Sequence, residues 1–123
     1  MNAKIKAQWV AALRSGRYTQ GYGKLRSGGK YCCLGVLCAL YNRRHKRPRW
    51  AIRDDTELPH PKVYSWAGLT NVASPHLRIQ GRSLAEYNDG MDGPYFDGTT
   101  GRLTSPVGSH TFAEIADLIE EHL

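Results

Sequence analysis

Apolar residues recur at helical spacing near the start of the chain. Ile5, Trp9 and Leu13 are each four residues apart, so all three would lie on one face of a helix. Asn2 is a favoured N-cap residue, because its side chain can accept a hydrogen bond from an N–H group of the first turn. The pattern predicts a first helix that Asn2 caps and that ends at about Ser15.

A second helical pattern holds all three cysteines, within CCLGVLC at Cys32–Cys38. Its apolar stripe has the spacings i, i+3, i+4 and i+7 and comprises Leu34, Leu37, Cys38 and Tyr41. Gly35 lowers the helix propensity, and close packing against a neighbouring element is the physical reason to expect a glycine there. Pro48 restricts the residue before it, so the helix is not expected to extend beyond Arg47.

The last helical pattern begins with the capping box TFAE at Thr111–Glu114. Its apolar stripe comprises Phe112, Ile115, Ala116 and Ile119, and carboxylates occupy the opposite face. Two shorter helices are also predicted. One begins at Pro61 and is closed by Gly68, and the other begins at the capping box Ser83–Glu86 and ends at Asn88–Gly90.

The remaining segments lack helical periodicity. Residues 17–31 contain short polar and aromatic runs between glycines, which indicate a small β-hairpin or two edge strands. Residues 48–60 suggest an extended loop, with a short strand at Trp50–Arg53 as an alternative, and Met91–Ser109 suggests a loop insert or a loose hairpin. The predicted fold is a single α+β domain over residues 1–123, mostly helical, with a minor β-hairpin or small antiparallel sheet.

Charge is distributed unevenly along the chain. The net charge is +6, but residues 1–53 carry thirteen Lys and Arg and no acid, whereas residues 54–123 carry four Lys and Arg and eleven acids. Such a division is typical of a basic surface that meets phosphate. The alternative is that the two halves fold against each other and partly neutralise, and both interpretations remain open.

The sequence gives no sign of export or membrane insertion. The N-terminal residues alternate lysines with apolar residues, unlike a signal peptide, and no stretch approaches the ~18 apolar residues of a membrane span. Without an export signal, reduced thiols are expected. We therefore predict a cytoplasmic protein without a membrane partner.

No metal or cofactor is predicted. Helical metal ligands need spacings of three or four residues to share a face, whereas the three cysteines are offset by one, five and six. The aspartates near the glycines of the insert lack the register of a Ca²⁺-binding loop and its closing Glu.

The first turn of the cysteine helix is a candidate thiol site. Unpaired N–H groups and the helix dipole there would lower the pKa of Cys32 or Cys33. A thiol-dependent enzyme would also need a base and an orienting group, for which His110 and Asn88 are candidates. The alternative is that these thiols pack as small apolar groups, as Cys38 is expected to do within the stripe.

Two basic segments suggest an anion-binding surface. Residues 17–31 combine arginines and lysines with tyrosines and glycines, and residues 43–49, followed by Trp50, combine five charges with an aromatic ring. The alternatives are a plain hairpin and a solvated basic loop. The candidate ligand-binding residues are Arg17, Tyr18, Gln20, Lys24, Arg26, Lys30, Tyr31, Cys32, Arg43, Arg44, Arg47, Asn88 and Asp89.

Several motifs together resemble a family of small proteins encoded by tailed phages and prophages. The family pattern is W-x-x-A-L-R-S-G-x-Y-x-Q, C-C-L-G-V-L-C, W-A-G-L, L-N-D and F-x-E-I-A-D, and it covers most of this chain. Tyr87 departs from it where leucine is usual, and the Met91–Ser109 insert is longer than in compact members. The resemblance implies a phage accessory protein in the cytoplasm of the infected host cell, with anti-defence activity as one role.

Three hypotheses follow. The first is a non-enzymatic accessory protein that binds an anionic ligand, either a nucleotide or nucleic-acid phosphate. The second is a thiol-dependent enzyme that uses Cys32 or Cys33, and the third is an inhibitor that binds a host defence protein directly. The sequence leaves self-association into a homo-oligomer open.

Overall fold

A computed structural model describes residues 1–53, 56–69, 77–90, 95–96, 103–104 and 108–123. Within them the chain forms five helices: α1 (Ala3–Arg14), α2 (Cys33–Arg44), α3 (Pro61–Ala67), α4 (Leu84–Asp89) and α5 (Phe112–His122). The strands are β1 (Thr19–Gln20), β2 (Arg26–Ser27), β3 (Lys30–Tyr31), β4 (Arg78–Ile79), β5 (Arg82–Ser83), β6 (Tyr95–Phe96) and β7 (Leu103–Thr104). The predicted α+β class, mostly helical with small sheets, is confirmed.

The helix ends follow the capping signals in the sequence. Asn2 caps α1 by accepting a hydrogen bond from Ile5 N–H, and Ser15 is the C-cap. Gly68 closes α3 in the left-handed conformation. The capping boxes that begin at Ser83 and Thr111 are both formed, at the starts of α4 and α5.

The first sheet differs from the predicted hairpin. Its order is β1-β3-β2: β2 and β3 form the expected antiparallel hairpin, but β1 pairs with β3 in parallel. A two-residue strand carries no periodicity from which such pairing could be predicted. The antiparallel β4–β5 hairpin, which turns through Gln80 and Gly81 at positive φ, was not predicted either.

Two loop predictions have different outcomes. Trp50–Arg53 forms no strand; it contains turns and bends, and Ala51 and Ile52 are buried. The prediction for Met91–Ser109 falls largely outside the described residues, but within that segment β6 pairs with β7 in the antiparallel sense.

The cysteine helix α2 lies at the centre of the core. Its residues from Cys33 to Cys38 are all buried, so the helix is covered on more than the one predicted stripe. Gly35 permits this packing, because a Cβ atom there would lie 1.8 Å from the backbone oxygen of Leu25. The buried indole of Trp9, on α1, donates a hydrogen bond to the backbone oxygen of Cys33. None of the described helices is long and apolar enough to cross a bilayer.

Candidate functional site

A groove lies between the C-terminal halves of α1 and α2, and we call it the α1–α2 groove. Its volume is about 620 Å³. Ala11, Ala12 and Leu40 provide apolar lining, and the polar and aromatic lining comes from Gln8, Ser15, Arg17, Tyr18, Arg43 and Arg44. The groove therefore combines an apolar surface with three guanidinium groups.

A second groove, the α2–sheet groove, lies between α2 and the first sheet. Its volume is about 410 Å³, and its lining is Tyr18, Arg26, Tyr31, Ala39, Asn42, Arg43, Arg47 and Ile52. Tyr18 and Arg43 line both grooves, so the two adjoin, and together we call them the two-lobed surface. At the junction, the rings of Tyr18 and Tyr31 meet edge to face, with centroids 5.1 Å apart.

The end of α2 positions the arginines of this surface. Arg43 and Arg44 occupy the last turn of the helix, where cations interact favourably with the dipole. The next residues reverse the chain: Lys46 and Arg47 both adopt positive φ, and Arg47 N–H donates to the backbone oxygen of Asn42. This turn brings Arg47 back beside Arg43 in the α2–sheet groove.

Within the described part of the chain, most arginines of this surface form no ion pair with a carboxylate. Among the described residues, the ion pairs formed by the basic N-terminal half include those of Arg14 with Asp117 and Glu120, and of Lys24 with Glu57. Of the arginines that line the two grooves, four are exposed and have no ion pair or side-chain hydrogen bond to the described part of the chain: Arg17, Arg43, Arg44 and Arg47. The described carboxylates of the acidic half therefore do not neutralise these four arginines.

Asn88 has a different position from the one predicted for a ligand-binding residue. Its side chain is fully buried, and its Oδ1 accepts hydrogen bonds from Cys33 N–H (3.0 Å) and Gln20 Nε2 (3.2 Å). Its Nδ2 donates to the backbone oxygen of Gly21 and to Asp89 Oδ1, both at 2.8 Å. Asn88 thus joins the first sheet to the start of α2.

Gln20 and Asp89 extend this buried polar cluster. Gln20 Nε2 also donates to the backbone oxygen of His110, and its Oε1 accepts from Phe112 N–H at the start of α5. Asp89 Oδ1 also accepts from Gly23 N–H. Gln20, Asn88 and Asp89 hold the chain segments together and do not line the two grooves.

The predicted lowering of the cysteine pKa values is wrong. Cys32 is 4% exposed and Cys33 is fully buried. Burial raises the pKa of Cys32 from 9.0 to about 12 and raises the pKa of Cys33 well above its ordinary value, since a thiolate there would lose its hydration. The desolvation outweighs the helix dipole on which the prediction rested.

The start of α2 is also capped from within the protein. Cys32 Sγ accepts a hydrogen bond from Gly35 N–H at 3.3 Å, and Asn88 accepts from Cys33 N–H. These N–H groups are therefore occupied. His110, the candidate base, packs its ring edge against Tyr87 and contacts the backbone oxygen of Gly108 through Nδ1.

Two predicted lysines lie away from the grooves. Lys24 pairs with Glu57, and Lys30 is exposed on β3. Sequence reasoning missed the apolar lining from Ala11, Ala12 and Leu40, which lies outside the predicted core stripes. The described residues contain no group of three or more His, Cys, Asp or Glu side chains arranged to hold a metal ion.

A family model described as a domain of unknown function, DUF8296, matches residues 1–123. No curated protein and no solved structure matches the chain.

Proposed function

The chain belongs to the DUF8296 family, and we propose that it binds a phosphate-bearing anion, a nucleotide or the backbone of a nucleic acid, without catalysis. The observation that carries this function is the set of four exposed arginines without carboxylate partners in the described chain, gathered around two connected grooves. The ligand would supply the negative charge that the described part of the chain does not place beside these arginines.

Charge supports an anionic ligand. Arginines that cluster without counter-charges raise the local positive potential, and a concave surface focuses that potential. The guanidinium group also suits phosphate, because its planar donors can bind two oxygens at once. Arg43 is well placed for such contacts, since it lines both grooves.

Burial of the thiols favours binding over thiol catalysis. A nucleophilic cysteine needs an accessible thiolate at neutral pH, whereas Cys32 and Cys33 are buried with raised pKa values. The basic grooves lie at the C-terminal end of α2, away from its buried N-terminal turn, and their arginines are suited to holding phosphate.

The resemblance to small phage proteins supplies a biological setting. In that setting the protein would act in the cytoplasm of an infected host cell, where binding a nucleotide signal or a nucleic acid would serve an anti-defence role. A host defence protein with an acidic surface is the competing partner, because the same arginines would attract carboxylates.

Binding measurements on charge-reversal variants test this function. Titrations would use a panel of nucleotides and short DNA, with the wild type, the double variant Arg43→Glu/Arg44→Glu, and the control Lys4→Glu/Lys6→Glu. The control makes the same change of charge on α1 at positions that do not line the grooves.

We expect wild-type affinity for at least one phosphate ligand to fall steeply with salt, because bound phosphates release counterions. The groove variant should lose at least tenfold in affinity, whereas the control should lose much less. Absence of binding across the panel, or an equal loss in both variants, would overturn the proposed function. If a host protein is captured instead, and the capture persists after nuclease treatment, the result would favour the host defence protein as the partner and overturn the proposed function.

A further inference from the structure

We propose that the ligand is a single-stranded nucleic acid, with a base held in the α1–α2 groove and the adjoining phosphates held by the arginines. This inference rests on the proposed function and narrows it to one substrate class. It follows from three features of the two-lobed surface: apolar lining beside the arginines, aromatic rings at the junction, and the connection between the lobes.

The apolar lining is the first feature. A surface that contacted phosphate alone would need only cations, whereas the α1–α2 groove also presents Ala11, Ala12 and Leu40. Ala12 and Leu40 are partly buried and pack against the core, so this lining is held in place. A flat base gains from leaving water for such a surface, while its phosphate stays at the guanidinium groups on the same groove.

The size of the grooves agrees with nucleotide units. Their volumes, about 620 and about 410 Å³, lie within the ~300–1,000 Å³ that is usual for small-ligand sites. Because the lobes are connected, a chain that leaves one groove can enter the other without crossing a region devoid of positive charge.

Tyr18 marks the passage between the lobes. Its ring is partly buried and meets Tyr31 edge to face, an arrangement that covers one face of only one of the two rings. The ring of Tyr18 also lines both grooves, so a base held in either groove can stack against it. Stacking on aromatic side chains is the usual, sequence-tolerant way in which proteins bind unpaired bases.

A duplex is a poorer fit to these features. Its bases face one another inside the helix, so a duplex that met this surface through its backbone would use the arginines and leave the apolar lining and Tyr18 unoccupied. A single strand offers bases and phosphates together, and Arg43 lies at the junction where a phosphate between two bound nucleotides would be.

The decisive comparison is between two oligomers that differ only in their bases. Fluorescence anisotropy would measure binding of a labelled ten-nucleotide oligothymidylate and of an abasic oligomer with the same number of phosphates. A duplex of equal length and inorganic polyphosphate complete the set. We expect the oligothymidylate to bind at least tenfold more tightly than the abasic oligomer and more tightly than the duplex.

Two variants separate base contacts from phosphate contacts. Tyr18→Leu should lower the affinity for oligothymidylate by about tenfold or more without changing affinity for the abasic oligomer. Arg43→Gln should weaken both and should reduce the slope of log affinity against log salt by about 0.7. If Tyr18→Leu fails to fold by circular dichroism, Leu40→Ser provides the same comparison from the apolar lining.

The outcomes distinguish this inference from the function on which it rests. Equal, salt-dependent binding of the abasic oligomer and oligothymidylate would overturn the single-strand inference and leave phosphate binding intact, and so would tighter binding of the duplex. Binding of free mononucleotides as tightly as the oligomer would also overturn it. No binding of any phosphate ligand would overturn both.

Discussion

Replacement of Asn88 by alanine tests the buried polar cluster. In the wild-type protein its side chain makes four hydrogen bonds within a site that excludes solvent. The alanine variant would leave Cys33 N–H and the backbone oxygen of Gly21 buried without these partners. Gln20 Nε2 would keep its bond to the backbone oxygen of His110.

The expected loss follows from the groups left unpaired. Each buried donor or acceptor that loses its partner costs about 1–3 kcal/mol, and Cys33 N–H and the Gly21 oxygen are two such groups. The cavity left by the amide adds to this loss. We therefore expect the free energy of unfolding to fall by about 3–5 kcal/mol, a large part of the ~5–15 kcal/mol that stabilises a typical domain.

Asn42 offers a matched control. It is the same residue type and partly buried, but its Oδ1 has no hydrogen-bond partner although it is shielded from solvent. Because Oδ1 of Asn42 is already buried without a partner, Asn42→Ala leaves no newly unpaired group behind. The free energy of unfolding should therefore change by no more than about 1 kcal/mol. Urea unfolding followed by the fluorescence of buried Trp9 would measure both variants. Equal losses in the two, or a loss below about 1 kcal/mol for Asn88→Ala, would refute the reasoning.

Three further predictions concern pH and backbone geometry. Because the pKa of Cys32 is raised from 9.0 in the unfolded chain to about 12 in the folded protein, this thiol alone should lower stability by up to ~1.4 kcal/mol per pH unit as pH rises from 9 toward 12, and the raised pKa values of Cys33 and Cys38 act in the same direction. Urea midpoints that did not change above pH 9, or that changed equally in Cys32→Ala, would contradict this. Gly35→Ala should lower the melting temperature far more than Gly16→Ala, since the added Cβ would overlap the Leu25 backbone only at position 35. Position 16 has open space, so the one cost there is the strain of alanine at positive φ, about 1–2 kcal/mol. Lys46→Gly should preserve or raise stability by up to about 1 kcal/mol, because it relieves a left-handed backbone; a clear loss in thermal melting would count against strain at that turn.

The helices were predictable because their signals are local. Asn2, Ser83 and Thr111 each cap a helix within three or four residues, and the apolar stripes of α1 and α5 lie in the same short windows. Gly35 was also predictable as a site of close packing, although its neighbour, the backbone of Leu25, could not be identified from spacing. The parallel β1–β3 pairing depends on contacts between segments and left no pattern in the sequence.

The candidate site was predictable only in part. The arginines of residues 43–47 and the Arg17–Tyr18 pair were expected at an anion surface, and the structure brings them to two connected grooves. The roles of Gln20 and Asn88 in the buried polar cluster were not predictable, because the sequence alone does not show whether a polar residue will be exposed or buried. The pKa of Cys32 was misjudged for the same reason: position on a helix is local, but desolvation is set by the whole fold.

The cluster around Asn88 has a consequence for the order in which the newly made chain can acquire its structure. The first N–H of α2 has its partner 55 residues later, and Gln20 finds one of its partners 92 residues later, at Phe112. During synthesis from the N-terminus, the polar groups of the early segments therefore remain hydrated and unpaired until α4 and α5 have been synthesised. Closure of such distant contacts favours completion of folding only once α4 and α5 have been made, in one late cooperative step.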